Sequence, residues 1–190
     1  MRIEDRTIED RPTLDSRTNY VIRNYRQTDA ALLPAVEVRA GQLFAAHGYA
    51  ELAASPAMAA DAFDKLASQN RTLVAAHDTD GAVGYAIAGA IGTFFHLKEL
   101  SVAPEHGRRG LGGALVKAVV AESVARGLDG VSLSTFRAVP FNAPFYARHG
   151  FAELPLEDAP EALRARFLTE VPPGIPPESR LLMLRRNTSG

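Results

Sequence analysis

The feature that most constrains the fold of this 190-residue chain is a strand that leads directly into a glycine- and arginine-rich turn and then into a helix. Residues 94–102 read as a strand that ends at Ala103-Pro104, and Gly107-Arg-Arg-Gly110 then open a helical pattern that continues to Arg126. The first amides of a helix have no intrahelical partner, and glycine lets a ligand approach the backbone closely. The segment therefore predicts an anion site suited to a pyrophosphate, to which Arg108 and Arg109 add charge-assisted hydrogen bonds.

Other interpretations of the same turn compete with a pyrophosphate site. A loop that only turns a corner, with two solvated arginines, is the structural alternative. A phosphate loop of the form Gly-x4-Gly-Lys-Ser/Thr is absent from the sequence. A dinucleotide fingerprint could begin at Gly110 and Gly112, but Leu115 stands where the third glycine belongs and Thr135-Phe136 stand where an acidic residue is needed. These differences disfavour a dinucleotide site.

The remaining patterns predict a single mixed α/β domain over residues 19–186, with helices flanking a sheet. An Asp-Gly turn at 78–81 between two apolar runs predicts a hairpin. The expected strands are 20–25, 72–77, 83–91, 94–102, 131–136, 151–154 and 180–184, and the expected helices are 28–46 with a kink at Pro34, 56–68, 110–126, 142–148 and 159–170. The charge-rich segment 1–18 and the short segment 187–190 are expected to be flexible tails.

Composition narrows the classes of function. The chain has 21 Lys and Arg against 22 Asp and Glu, and this balance argues against whole-surface attraction to nucleic acid or to an anionic membrane. Because it has no cysteine, the chain has no disulfide, thiolate metal site or cysteine nucleophile, and with no His-x3-His pair we expect no metal. It shows neither an apolar signal segment nor a stretch of about 20 apolar residues, so we expect a soluble, cytoplasmic protein.

Three motifs of the sequence resemble the GNAT superfamily of acyl-CoA-dependent N-acetyltransferases. The strand that ends hydrophobic-x-Val-x-Pro in that family corresponds to Leu100-Ser-Val-Ala-Pro104. The turn Gln/Arg-x-x-Gly-x-Gly/Ala corresponds to Gly107-Arg-Arg-Gly-Leu-Gly112, and the later motif Tyr-x-x-x-Gly-Phe corresponds to Tyr146-Ala-Arg-His-Gly-Phe151. The resemblance implies a GNAT-like fold, a mixed, mostly antiparallel sheet of six to seven strands flanked by helices.

The resemblance also implies that acetyl-CoA binds along this segment as a cosubstrate. It assigns the pantetheine arm to the backbone of Leu100, Ser101 and Val102, and the pyrophosphate to Arg108, Arg109, Gly110, Leu111, Gly112, Gly113 and Ala114. Two positions depart from the family pattern, because Gly107 replaces Gln or Arg and Val139 stands where the family often has Asn. Asn142, one helical turn later, is then the candidate for a contact with the cofactor.

The implied reaction is direct attack of an amine on the thioester in a ternary complex. An alkyl amine with a pKa near ~10.4 must first lose a proton, and the departing thiolate is helped by a proton donor. Glu99 is the candidate base, directly or through a water chain, and Tyr146 is the candidate acid. The structural alternatives are an ion-paired or solvent-facing Glu99 and a Tyr146 that only packs in the core.

The amine acceptor stays open at this point. The resemblance places its pocket in residues 42–56, which include His47, Tyr49 and Glu51, and in the final hairpin, and no dense acidic cluster there marks a polycationic acceptor. A small molecule, a peptide N-terminus and a protein lysine all fit, and a homodimer is left open. The alternative function is a non-catalytic acyl-CoA sensor or regulatory module of the same fold.

Overall fold

The computed structural model describes residues 19–188, so the tail predicted at 1–18 and the last two residues of the tail predicted at 187–190 lie outside the described residues. Asn187 is held by its neighbours, since its backbone N–H donates to the Asp129 carbonyl at 2.9 Å and its side-chain amide donates to the Leu128 carbonyl at 2.7 Å. Ordered contacts therefore continue beyond Arg186, where the last strand ends.

Within the described residues the chain forms one seven-stranded sheet flanked by helices. The strands are β1 (Tyr20–Asn24), β2 (Arg71–His77), β3 (Gly81–Ile91), β4 (Phe94–Val102), β5 (Gly130–Phe136), β6 (Ala152–Glu153) and β7 (Arg180–Arg186). The helices are α1 (Leu33–Gly41), α2 (Ala50–Ala53), α3 (Ala60–Ser68), α4 (Leu111–Ala125), α5 (Ala143–Ala147) and α6 (Glu161–Thr169). The sheet order is β1-β2-β3-β4-β5-β7-β6, and every neighbouring pair is antiparallel except β4 and β5. This architecture confirms the predicted fold class.

The two faces of the sheet carry separate cores, because successive strand residues point to opposite sides. On one side, α4 packs against the sheet through side chains that include Leu115 and Val119. On the other side, α1 and α3 pack through Val36 and Phe63, and α6 packs through Phe167. We call these two sides the α4 face and the α1 face.

A β-bulge in β4 decides which face the last residues of this strand occupy. Leu97 pairs with Ala88 and Glu99 pairs with Ile87, so Lys98 is an extra residue in the strand. Leu97 belongs to the core of the α4 face, whereas Ile87 belongs to the core of the α1 face. Without the extra residue, simple alternation would turn Glu99 toward α4. With it, Glu99 lies on the α1 face.

The predicted helices before β2 are shorter and more broken than the sequence indicated. A 3-10 turn at Gln27–Ala31 precedes α1, and Pro34 is the second residue of that helix. Proline has no N–H and therefore fits the first helical turn, which explains the break near the predicted kink. The helix expected from Pro56 begins only at Ala60, because Ala59 keeps an extended backbone with φ −62° and ψ 144°.

Candidate functional site

The parallel pair at the centre of the sheet opens into a cleft. β4 and β5 are paired only as far as Leu97 and Leu133; beyond them β4 continues beside β3, and β5 continues beside β7. The edge of β4 at residues 100–102 consequently has no strand beside it on the β5 side within the described chain. Residues of both faces line the cleft, which has a volume of about 1610 Å³. Small-molecule pockets typically measure about 300–1,000 Å³, so the cleft has room for a long ligand together with a second substrate.

The N-terminus of α4 lies at one end of the cleft. Arg108 and Gly110 have positive φ angles of 57° and 80°, which turn the chain sharply just before the helix. A left-handed conformation costs a non-glycine residue such as Arg108 about 1–2 kcal/mol. The Ala114 N–H donates to the Gly110 carbonyl at 2.9 Å as the helix begins, so the amides of residues 111–113 precede the helical hydrogen bonds. Amides in this position suit an anion.

At Gly112 and Gly113, next to this turn, α4 has backbone without side chains, and the side chains of neighbouring residues lie close to it. A Cβ atom on Gly113 would lie 2.8 Å from Cε1 of His149, and one on Gly112 would lie 3.4 Å from the Phe145 ring. Burial, followed by the positive charges of Lys117 and Arg148, lowers the pKa of His149. The free amides and the cationic side chains at this end of the cleft together fit a phosphate-bearing ligand.

Two carboxyl groups lie on the α1 face of the cleft. Glu99 accepts a hydrogen bond from the Ser101 hydroxyl at 2.8 Å, and Glu37 on α1 accepts one from the Tyr85 hydroxyl at 2.8 Å. Burial, followed by the negative charge of Glu37, raises the pKa of Glu99 to about 7. A carboxyl group with this pKa exchanges its proton near neutral pH, which suits a general base.

Tyr146 approaches the cleft from the opposite side of the sheet. It belongs to the core of the α4 face, is 9% exposed, and lines the cleft together with Glu99. Within residues 19–188 its hydroxyl makes no hydrogen bond, so it is not tied to a backbone carbonyl. Burial, followed by the negative charge of Glu99, raises the pKa of Tyr146 above its ordinary value. The phenol therefore stays protonated and can donate its proton.

Most residues that the sequence predicted for the site line this cleft. They are Glu99, Leu100, Ser101, Val102, Arg108, Gly110, Leu111, Gly112, Gly113, Ala114, Asn142 and Tyr146. Arg109 is exposed next to the turn and is not part of the lining. Val139 is 1% exposed and belongs to the interior, whereas Asn142 precedes α5 at the cleft wall.

The acceptor end of the cleft differs in detail from the expectation for residues 42–56. Phe44 and Leu52 from this segment line the cleft, but His47 and Glu51 do not. Tyr49 lies behind the wall, with its ring centroid 4.4 Å from that of Phe136. Aromatic rings therefore form much of the surface at this end.

The charged residues of the cleft that sequence reasoning missed include Glu37 and Arg180 on the α1 face. Glu37 follows buried Leu33 by one helical turn, so it lies on the apolar side of the helix. A charged residue on that side was the sequence signal that could have indicated Glu37 as a site residue. In β7, Arg180 is followed at every second position by Leu182 and Leu184, which lie on the same side of the strand and are buried against α6. It therefore shares the α1 face with both glutamates.

His96, a polar residue outside the lining of the cleft, has a structural role. His96 is fully buried, with Nδ1 2.9 Å from the Ser132 hydroxyl and Nε2 3.1 Å from a Glu170 carboxylate oxygen. In residues 19–188, no three histidine, aspartate or glutamate side chains are grouped so that they could hold a metal ion. Over the same range, none of the helices has the length and apolar character needed to cross a membrane.

Comparisons with known proteins agree with this geometry. Residues 68–153 match the family model described as an acetyltransferase (GNAT) domain. The structure resembles PaiA N-acetyltransferase from Thermoplasma acidophilum in complex with coenzyme A, with a TM-score of 0.64 and 17% identity over 88% of this chain and 99% of that one. It also resembles the ribosomal-protein-S18-alanine N-acetyltransferase from Escherichia coli, with a TM-score of 0.63 and 16% identity over 90% and 96% of the two chains. A GCN5-related N-acetyltransferase from Rhodopseudomonas palustris gives a TM-score of 0.66 and 21% identity over 90% and 97%. At these identities the structural likeness establishes the fold.

Proposed function

We propose that this chain, which resembles the GNAT superfamily in sequence and in fold, is an N-acetyltransferase that moves an acetyl group from acetyl-CoA to an amine. The observation that carries the proposal is that Glu99 and Tyr146 reach one cleft from opposite faces of the sheet. Acetyl-CoA would supply the acetyl group as a thioester, and the amine would form its C–N bond directly as the C–S bond breaks. The chain has no cysteine that could carry the acetyl group between two separate steps.

The CoA side of the proposal rests on the exposed strand edge and the helix N-terminus. The free edge of β4 at Leu100, Ser101 and Val102 offers backbone groups to the amides of a pantetheine arm. The turn and the first residues of α4, 108–114, offer amides and positive charge to the pyrophosphate. Asn142 at the opposite wall supplies a side-chain amide to the same ligand.

Glu99 is the proposed general base. An amine bound on the α1 face arrives protonated, and Glu99 accepts that proton directly or through a water molecule. Its raised pKa brings it closer to that of the amine than an ordinary glutamate, so the proton transfer is less unfavourable. Glu37 contributes by its charge, because a second carboxylate nearby disfavours ionisation of Glu99.

Tyr146 is the proposed general acid. Its hydroxyl stays protonated at neutral pH and is not engaged by another group of the described chain. Because it lies on the α4 face, from which the CoA arm enters, it can donate a proton to the leaving sulfur. In this scheme Glu99 accepts a proton from the amine on the α1 face, and Tyr146 donates a proton to the thioester sulfur from the α4 face.

Release of free thiol from acetyl-CoA in the presence of a panel of amines tests the proposal. We expect release above background with at least one amine, and a rise in melting temperature when CoA is added. If CoA stabilises the protein but no amine releases thiol, the chain is a non-catalytic acyl-CoA sensor and the enzymatic proposal is wrong. If CoA does not stabilise the protein either, the cleft does not bind CoA.

The pH dependence of the Glu99→Gln variant tests the role of the base. We expect the loss of activity to shrink as the pH rises, because amines then deprotonate without help. Exposed Glu157 offers a matched control, since Glu157→Gln makes the same chemical change outside the cleft. A loss that is equal at every pH would indicate structural damage instead.

A further inference from the structure

The proposed reaction leaves Arg180 unused, although this residue lines the cleft. Its guanidinium carbon lies over the Phe136 ring, 4.8 Å from the ring centroid. Its Nε atom is buried and makes no hydrogen bond within residues 19–188. A guanidinium that is stacked by its face keeps its N–H groups directed outward at its edge, in the fork that matches a carboxylate.

Two other arginines of the described chain show how unusual this environment is. Arg39 and Arg71 also have a buried Nε without a hydrogen bond. Each of them nevertheless faces a carboxylate, since Nε of Arg39 lies 3.1 Å from Glu105 and Nε of Arg71 lies 3.2 Å from Glu122. Arg180 takes part in no ion pair of this kind within residues 19–188.

Glu170 and Glu99 act on the charge of Arg180 from a distance, but within residues 19–188 neither makes a hydrogen bond or an ion pair with it. Glu170 accepts a hydrogen bond from Nε of Arg166 at 2.7 Å and lies 3.1 Å from Nε2 of His96, so its oxygens are already engaged. Glu99 accepts a hydrogen bond from Ser101 and is the general base in the proposed reaction. The N–H groups of Arg180 are thus available to a ligand in the cleft.

The fold also determines how far Arg180 lies from the base. Both residues are on the α1 face, but Glu99 is on β4 and Arg180 is on β7, with β5 between them. Two strand spacings of a paired sheet amount to about 10 Å, and the backbones at Glu99 and Arg180 are farther apart than this because β4 and β5 are no longer paired beyond Leu97 and Leu133. The wall near Arg180 is aromatic, because Phe136 packs against Phe44 with 5.3 Å between ring centroids. An amine beside Glu99 and an anion beside Arg180 must therefore be joined by a spacer of several atoms.

We propose that the acceptor is an amine that also carries a carboxylate, separated from the nitrogen by an apolar or aromatic spacer, and that Arg180 binds this carboxylate. This inference rests on the proposed function, since it names the class of substrate for the same site. Arg180 is a specificity residue in this scheme, because it contacts the acceptor away from the reacting nitrogen. We therefore expect substitution of Arg180 to raise the KM for the acceptor more than it lowers kcat.

The test compares two acceptors that differ only in the carboxylate, 4-(aminomethyl)benzoate and benzylamine. We expect the wild-type protein to prefer the carboxylate by at least about tenfold in kcat/KM, in line with a charge-assisted hydrogen bond of about 1.5–3 kcal/mol. Arg180→Met should abolish the preference, and Arg180→Lys should keep part of it, since lysine retains charge but not the planar fork. Arg186→Met, at an exposed position of the same strand, is the matched control and should keep the full preference.

Two results would overturn the inference. One is an active wild-type protein that uses both amines equally, and the other is a preference that survives in Arg180→Met. If no amine is acetylated at all, the proposed function fails separately, and the inference is decided by calorimetric binding of the same two compounds to the CoA-saturated protein. The inference would then be refuted if the carboxylate compound does not bind more tightly than benzylamine, or if Arg180→Met leaves the difference in affinity unchanged.

Discussion

Glu99→Gln should stabilise the folded protein at alkaline pH, even though we expect it to impair activity. The pKa of Glu99 is raised from an ordinary value of 4.5 to about 7 in the folded protein. At 1.36 kcal/mol per pKa unit, keeping this carboxyl ionised in the fold costs about 3 kcal/mol relative to the unfolded chain. Below pH 4.5 the group is protonated in both states and the cost is absent. The cost accumulates as the pH rises from 4.5 to 7, and it stays constant above this range.

Thermal unfolding of wild type and Glu99→Gln at pH 5 and pH 8 measures this effect. Glutamine is uncharged at both pH values and has almost the same shape, so it avoids the cost of the buried charge. For a domain of this size, about 3 kcal/mol corresponds to a rise in Tm of about 6–12 °C at pH 8. At pH 5 the gain should be much smaller, because most of the titration window lies above that pH.

The control for this measurement is Glu157→Gln, in which the substituted carboxyl is exposed. Its Tm should follow that of the wild type at both pH values. The reasoning is refuted if Glu99→Gln shows the same Tm difference from wild type at pH 5 and at pH 8, or if it is less stable than wild type at pH 8.

Three further predictions concern the cleft. Tyr146→Phe should lower kcat by about 10²–10⁴-fold while CoA affinity is kept, and an unchanged rate would remove Tyr146 from the mechanism. Glu37→Gln should move the acidic limb of the pH profile of kcat/KM to lower pH, because it removes a negative charge that, together with burial, raises the pKa of Glu99. A limb that stays in place would contradict this coupling. Gly110→Ala should cost about 1–2 kcal/mol through its φ of 80° and weaken CoA binding in calorimetry. Gly110→Asn should cost less because asparagine tolerates that conformation, so equal losses in the two variants would argue against backbone strain.

The sequence by itself determined the strand, turn and helix to which we assign the proposed cofactor. The strand predicted at 94–102 coincides with β4, and the helix predicted at 110–126 differs from α4 by one residue at each end. Alternating apolar residues, a proline and closely spaced glycines act over a few positions, so their effect can be read without knowing the fold. Tyr146 became a candidate through the family resemblance of the short motif that surrounds it, and its role stays a prediction.

Only the tertiary structure decided what surrounds the proposed acceptor. The side on which Glu99 lies depends on the extra residue Lys98, and that bulge is visible only when β4 is paired with β3. Glu37 and Arg180 are about 140 positions apart in the chain, and they share one face because the sheet order places their elements there. A pairing register and a strand order arise from contacts between distant segments, so local patterns contain little information about them. The chemistry that the cleft can perform follows from these contacts.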